Sequence, residues 1–346
     1  MKEQMDRIIT RVLPADDESI RLGGEMIARG ELVGFPTETV YGLGGNALSD
    51  RAVRDIFAAK GRPADNPLIV HVAKMEEADS LCFPTDLAKE LMRAFWPGPL
   101  TLLMKKKPCV PDVTTASLDT VAVRCPMHPA ALGLISAAGV PIAAPSGNLS
   151  GRPSPTRAAH MLEDMDGRIP LILDGGDCRV GVESTVLSVT GDEPVIFRPG
   201  GITREDIARV AGKCAVADSV MRPLKEGESA PSPGMKHRHY APKGNMTVVE
   251  GADAEKVIRK LKELYDASKN ACILCHTAHL KEFGARRVMD LGDSAEKTAH
   301  VLFAALREMD DEHISRILCE GWSENGVGLA VMNRMARAAA FDIVRV

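Results

Sequence analysis

The residues of this chain best suited to chemistry are a few cations set among short hydroxyl and amide side chains. In "AAKGRPADNPLIVHV", Lys60 and Arg62 flank a glycine, Asn66 and His71 follow, and two prolines predict extended backbone between them. Cations one residue apart on extended chain point the same way, which suits a phosphate or a carboxylate. A solvated basic helix end is the competing reading. In "FPTETVYGLGGNA", Thr37 and Thr39 alternate along the chain, so both hydroxyls could face one substrate, or close a polar turn. Ser146, Asn148 and Ser154, in "VPIAAPSGNLSGRPSPT", are short polar groups in a small apolar setting. Such groups bind phosphate or ribose, and each alone is also an ordinary turn residue. Arg124 ends the strand-like "TVAVR", Ser184 and Thr185 lie in "DGGDCRVGVESTVLSV", and Arg198 lies in "FRPGGIT". Lys60, Arg62, Arg124 and Arg198 together would make a local anion pocket.

Other motifs narrow the field. Gly42-x-Gly44-x-x-Ala47 superficially matches a dinucleotide fingerprint, but the next helical pattern begins near Ser49, too late for the last small residue to lie inside the helix. There is no Walker A pattern, G-x-S-x-G elbow or H-E-x-x-H pair. Cys272-Ile-Leu-Cys275-His276 invites a zinc or redox reading. Inside a strand-like run its residues alternate faces and no second ligand pair is evident, so buried core cysteines are expected. "SPGMKHRHYAP", Ser232 to Pro242, carries two histidines, a tyrosine, a lysine and an arginine in a segment whose prolines and glycine mark it as a linker. It reads either as a lid over a reactive site or as a solvated tether.

Positioning these residues requires folded elements, and 346 residues favour about two domains. The composition, 45% hydrophobic and 26% charged, is that of a globular chain and excludes collagen and disorder. A formal net charge of −4 provides no global basic field, so polyanion binding would need a local cluster. "SIRLGGEMIARGELVGFPT" reads as a helix stopped near Gly30 and followed by a short buried strand, and helix- and strand-like runs alternate to about Ala211. Later, "NMTVVEG", "NACILCH", "ARRVMDLG" and "ISRILCEG" read as strands separated by "AEKVIRKLKELYDASK" and "SAEKTAHVLFAALREM", helical in period. The expected division is a catalytic domain over 1–212, a linker over 213–243 and a small parallel α/β domain over 244–346. Eight scattered cysteines and the absence of an apolar core in "MKEQMDRIIT" favour a reduced, cytoplasmic location, and no membrane role is indicated.

The ordered set "PTETVYGLG", "KGRPADNPL", "FWPGPLT", "VRCPMHP", "APSGNLSG", "ESTV", "RPGGIT" and "SPGMKHRHYAP" resembles that of the two-domain threonylcarbamoyl-AMP synthases along nearly the whole chain. The resemblance implies an α/β fold: a YrdC-like open twisted sheet domain followed by a smaller Rossmann-like parallel domain. It implies synthesis of threonylcarbamoyl-AMP and pyrophosphate from L-threonine, bicarbonate and ATP, with Mg2+ accompanying ATP. A separate enzyme complex would pass the product to the adenosine next to the tRNA anticodon, and a weak RNA contact is conceivable. Carried over by motif, Lys60 and Arg62 are the catalytic cations. They join Asn66, Thr120, Ser146, Asn148, Ser154, Arg198, His239 and Tyr240 around ATP, while Thr37, Thr39, His71, Arg124, Ala144 and Ser184 hold threonine. No metal ligands are assigned. Gly147, Ala122, Ser188 and His237 depart from the family pattern, and Ser188 removes a carboxylate often found there. A YrdC-type RNA-binding module without catalysis is the alternative, disfavoured by the acidic net charge and the 4% aromatic content.

Overall fold

The computed structural model of the chain describes residues 8–222 and 240–346. Two compact units alternate along the sequence. One comprises Met1–Ser150, Pro155–Cys178 and Leu187–Asp192; the other comprises Gly151–Ser154, Arg179–Val186 and Glu193–Val346.

The first unit runs β1 (Arg11–Pro14), α1 (Asp17–Ala28), β2 (Val33–Phe35), β3 (Gly42–Asn46), α2 (Asp50–Lys60), β4 (Ile69–His71), α3 (Asp86–Phe95), β5 (Leu100–Lys105), α4 (Asp112–Thr115), β6 (Thr120–Arg124), α5 (Pro129–Ala138), β7 (Ile142–Ala143), α6 (Ala158–Met165) and β8 (Leu171–Asp174). Its strands stand in the order β1-β8-β2-β3-β7-β4-β6-β5. The sheet is mixed: β4 and β6 are parallel, whereas β2/β3 and β5/β6 are antiparallel. As the periodicity predicts, α1 starts at the cap of Asp16, whose carboxylate accepts from the Ser19 amide, and its end is followed by Gly30 at φ +89°. The buried face of α1, with Met26 and Ile27, packs on Leu134, Ile135 and Ala138 of α5 and on Val33, Phe35, Leu171 and Leu173 of the sheet. Each such fully buried aliphatic side chain stabilises the unit by roughly 1.5–3 kcal/mol.

The glycines of "GLGGNA" lie within β3, and α2 begins only at Asp50 after the Ser49 cap, so no helix N-terminus faces them. Their role here is packing. A Cβ on Gly44 would stand 2.9 Å from both Ile142 Cγ2 and Phe35 Cε1, tighter than side chains allow.

β9 (Thr185–Ser188) spans the boundary in the sequence between Val186 and Leu187. The second unit continues with β10 (Val195–Arg198), α7 (Arg204–Ala211), β11 (Ala215–Val216), β12 (Asn245–Glu250), α8 (Ala254–Asp266), β13 (Ala271–Cys275), β14 (Val288–Asp290), α9 (Ala295–Asp311), β15 (Arg316–Glu320), α10 (Gly328–Ala338) and β16 (Ile343–Arg345). Strands β12 to β16 form a sheet in the order β14-β13-β15-β12-β16, parallel at every pairing. The four strands and two helices expected from the sequence are all present. Helix α10 and strand β16 were not foreseen; α10 is buried nearly all round, its polar residues Asn333, Arg334 and Arg337 included. Among the described residues no helix is long and apolar enough to cross a membrane.

Candidate active site

The hydroxyls of Thr37 and Thr39 face each other as the two-residue spacing predicts, with the oxygens 2.8 Å apart. Thr37 also closes a turn: its hydroxyl donates to Val40 O (2.6 Å) and accepts from the Val40 amide (3.2 Å). The polar turn and the presented hydroxyl are therefore one structure. Thr39 Oγ1 accepts from Arg124 Nη1 at 3.1 Å, Arg124 Nε donates to Gly98 O at 3.2 Å, and Nη2 lies 2.7 Å from Glu38 Oε1. Both charges are almost fully buried, with side-chain exposures of 4% for Arg124 and 2% for Glu38. Gly98, from "FWPGPLT", has no room for a Cβ, which would lie 2.3 Å from Phe95 O. Parallel pairing of β4 and β6 sets His71 beside Arg124 at the carboxyl ends of the two strands, and the His71 ring meets Phe35 edge to face. Ala144 follows β7, buried, its amide bonded to Ile69 O. A guanidinium carries five N–H donors; two are spent on Gly98 and Thr39, while Nη2 faces Glu38 as an ion pair without a hydrogen bond among the described residues.

A second group forms around Lys60. The expected extended path from Lys60 to Arg62 is corrected here. Lys60 is the last residue of α2 and Gly61 caps it in the left-handed region at φ +60°, a turn that needs no Cβ. The Lys60 ammonium is buried and donates to Ser146 O (2.5 Å) and Asn148 O (2.6 Å), while Ser146 Oγ donates to Asn148 Oδ1 (2.6 Å). Lys60, Ser146 and Asn148 are thus brought together by bonds spanning more than eighty residues. Arg62 lies over the Phe57 ring with its guanidinium carbon 5.8 Å from the centroid. Asn66 is fully buried, and among the described residues neither end of its carboxamide has a hydrogen-bond partner. Thr120 opens β6, at the other end of the strand from Arg124.

In the second unit, Arg198 is buried and donates through Nε to Ser184 O (3.0 Å) and through Nη2 to Ser184 Oγ (3.1 Å). Ser154 Oγ donates to Glu183 Oε1 at 2.5 Å, and Arg334 Nε donates to Glu183 Oε2 at 2.8 Å. Burial opposes ionisation of Glu183. The charges of Arg334 and Arg198, with the hydrogen bonds from Ser154 and Arg334, outweigh it and hold the carboxyl below its ordinary range. Tyr240 is buried at φ +64°, stacked on Phe303 with 5.1 Å between centroids and with Arg334 over its ring. Burial raises its phenol pKa. Of the segment Ser232 to Pro242 expected to be a lid or tether, residues 232–239, with Ser232, His237 and His239, lie outside the described residues.

Comparison with known proteins shows the family. Residues 25–200 match the family model described as "Telomere recombination", which covers the Sua5, YciO and YrdC proteins, and residues 202–340 match the threonylcarbamoyl-AMP synthase C-terminal domain. The chain is 48% identical to the threonylcarbamoyl-AMP synthase of Pyrococcus abyssi over 96% of its own length and 97% of that protein. It is 44% identical to the Bacillus subtilis enzyme of the same name over 97% of both. The chain belongs to the threonylcarbamoyl-AMP synthases. The crystal structure of P. abyssi Sua5 complexed with L-threonine superposes with a TM-score of 0.90 at 47% identity, covering 98% of this chain and 99% of that one.

Within this synthase, sequence reasoning missed Glu38 and Glu183. Each sits inside a quoted motif beside a chosen hydroxyl residue, and each is a buried acid. Its counter-charge, Arg124 or Arg334, lies 86 or 151 residues away. Ser188, where the family often has a carboxylate, shares a hydrogen bond with Thr190 at 2.9 Å, so its position is satisfied without charge. The core reading of Cys272 and Cys275 holds: both are buried, and burial pushes their thiols up to about 11 and about 12.

Proposed function

We propose that this synthase joins L-threonine, bicarbonate and ATP into threonylcarbamoyl-AMP and pyrophosphate, and that a separate enzyme complex transfers the threonylcarbamoyl group to the adenosine next to the tRNA anticodon. The full-length likeness to a relative complexed with L-threonine carries the reading, and the Thr39–Arg124–Glu38 cluster gives it chemistry. Three N–H groups of Arg124 remain once Gly98 and Thr39 are served, enough for a two-pronged grip on the amino acid's carboxylate by a guanidinium held in place by its neighbours. Thr37, His71, Ala144 and Ser184 are the further threonine residues in this reading. With the carboxylate held, the α-amine attacks the carbon of carbon dioxide and loses a proton, or attacks that of bicarbonate with the departure of water, giving the carbamate. A carbamate oxygen then attacks the α-phosphorus, and the bond to the β-phosphate oxygen breaks as pyrophosphate departs. No covalent enzyme intermediate is needed. Catalysis is placement and charge stabilisation.

Lys60 and Arg62 supply the charge opposite the α-phosphate and the departing pyrophosphate, with Asn66, Thr120, Ser146, Asn148, Ser154, Arg198, His239 and Tyr240 as the ATP residues. The buried, unpartnered carboxamide of Asn66 fits a triphosphate oxygen through Nδ2 or hydrated Mg2+ through Oδ1. Bound Mg2+ would neutralise part of the triphosphate charge. The test is pyrophosphate release from ATP with threonine or bicarbonate omitted in turn. Release that requires both supports the synthase. Release without either, or salt-sensitive RNA binding without turnover, would overturn it.

A further inference from the structure

The second unit holds a cluster that the synthase reaction does not use. His276 follows β13 and Glu320 ends β15, adjacent parallel strands, and His279 lies one short turn beyond His276. His276 Nδ1 lies 3.3 Å and His279 Nδ1 2.6 Å from the same oxygen, Glu320 Oε1. One ligand atom from each of the three residues falls within 4.8 Å of the others. The other carboxylate oxygen, Oε2, accepts the His276 backbone N–H at 2.9 Å, which fixes the orientation of the carboxylate. We propose that His276, His279 and Glu320 bind a divalent transition-metal ion of the zinc type, with water completing its coordination.

Three features favour a metal over a plain ion pair. The first is the ligand set: two imidazoles and one carboxylate with an open position form a common zinc arrangement. Tetrahedral bonds of roughly 2.0–2.1 Å place ligand atoms about 3.3 Å apart. The His276–Glu320 separation of 3.3 Å already equals that spacing, and His279, a partly exposed side chain 2.6 Å from the same oxygen, needs to open by about 0.7 Å. The second is the wall around the ligands. The Trp322 ring lies on the His276 imidazole, with 3.9 Å between centroids, and its indole N–H is pinned to Thr298 Oγ1 at 2.9 Å, while Thr298 itself donates to Leu291 O at 2.8 Å. That chain holds the imidazole plane, as an outer shell holds a metal ligand. His276 Nε2 is buried without a hydrogen-bond partner among the described residues, which leaves the ring's polar engagement there on the Glu320 side. The third is location. From β13 the chain passes outward to β14, and from β15 it passes the opposite way to β16. Outside the carboxyl ends of two strands whose connections diverge in this manner lies the crevice where open parallel sheets bind ligands.

The measurement uses the full-length chain without a histidine tag, stripped by a chelator and desalted, then titrated with Zn2+ against a chromophoric competitor and with Co2+ by visible absorption. The expected result is one saturable equivalent and a cobalt ligand-field spectrum of imidazole–carboxylate coordination. His279→Gln and Glu320→Gln should each weaken binding by at least roughly 100-fold, beyond the loss typical of an outer-shell change. Cys109→Ser, at an exposed thiol, should leave binding unchanged. No saturable Zn2+ or Co2+ uptake by the unmodified chain, or uptake that survives in both variants, would overturn the proposal. The cobalt spectrum of the unmodified chain decides the matter even if Glu320→Gln fails to fold.

Discussion

Arg334→Met should destabilise the protein by about 3 kcal/mol, and the structure sets that size. The Arg334 side chain is fully buried and that of Glu183 is 7% exposed, with 2.8 Å between Nε and Oε2. Removing one partner of a buried ion pair typically costs 3–5 kcal/mol, because the remaining charge is left uncompensated in a poorly solvating interior. Arg198 still acts on Glu183 and Ser154 still donates to it, which places the cost near the lower end of that range. Methionine keeps much of the volume, so packing around Tyr240 and Phe303 contributes little to the loss. The second variant, Glu183→Gln with Arg334→Met, removes the stranded charge and should recover more than half of the loss. Equilibrium denaturation followed by circular dichroism, on both variants and the parent chain, reads the difference. A cost below about 1 kcal/mol for Arg334→Met, or a double variant no more stable than the single one, would refute the claim that Glu183 is held ionised by its partners.

Arg124→Lys keeps a cation beside Glu38 but loses the fork, so the KM for threonine should rise about 10- to 150-fold, the equivalent of roughly 1.5–3 kcal/mol, with little change for ATP; separate titrations of the two substrates check it. Lys60→Met should lower turnover by at least roughly 100-fold. It should also loosen the Ser146–Asn148 turn that the ammonium bonds, seen as faster amide exchange there. Glu183 gives a pH dependence: its folded pKa lies below the unfolded one, so its stabilisation is complete above the ordinary carboxylate range and is lost as pH falls through that range toward the folded value. Acid denaturation of Glu183→Gln should accordingly be shallower than that of the parent chain.

What the sequence revealed was local. The two-residue period of Thr37 and Thr39, the Ser49 cap before α2 and the helix stop near Gly30 depend on neighbours a few positions apart, and all appear in the structure. The path through Lys60 was misjudged because the prolines after Arg62 were given more weight than Gly61, whose left-handed conformation ends the helix beyond Lys60. Glu38, Glu183 and the convergence of His276, His279 and Glu320 were hidden for another reason. Their partners are brought close only by strand order, 41 to 151 residues along the chain, and no local pattern encodes that.

The most direct test of the account is to supply the enzyme with ATP, L-threonine and 13C-labelled bicarbonate and examine the nucleotide product by mass spectrometry. The account predicts a threonylcarbamoyl-adenylate whose carbamoyl carbon bears the label, formed together with pyrophosphate and lost in Arg124→Ala. An adenylate without the labelled carbon, or no adenylate at all from a folded enzyme, would contradict it.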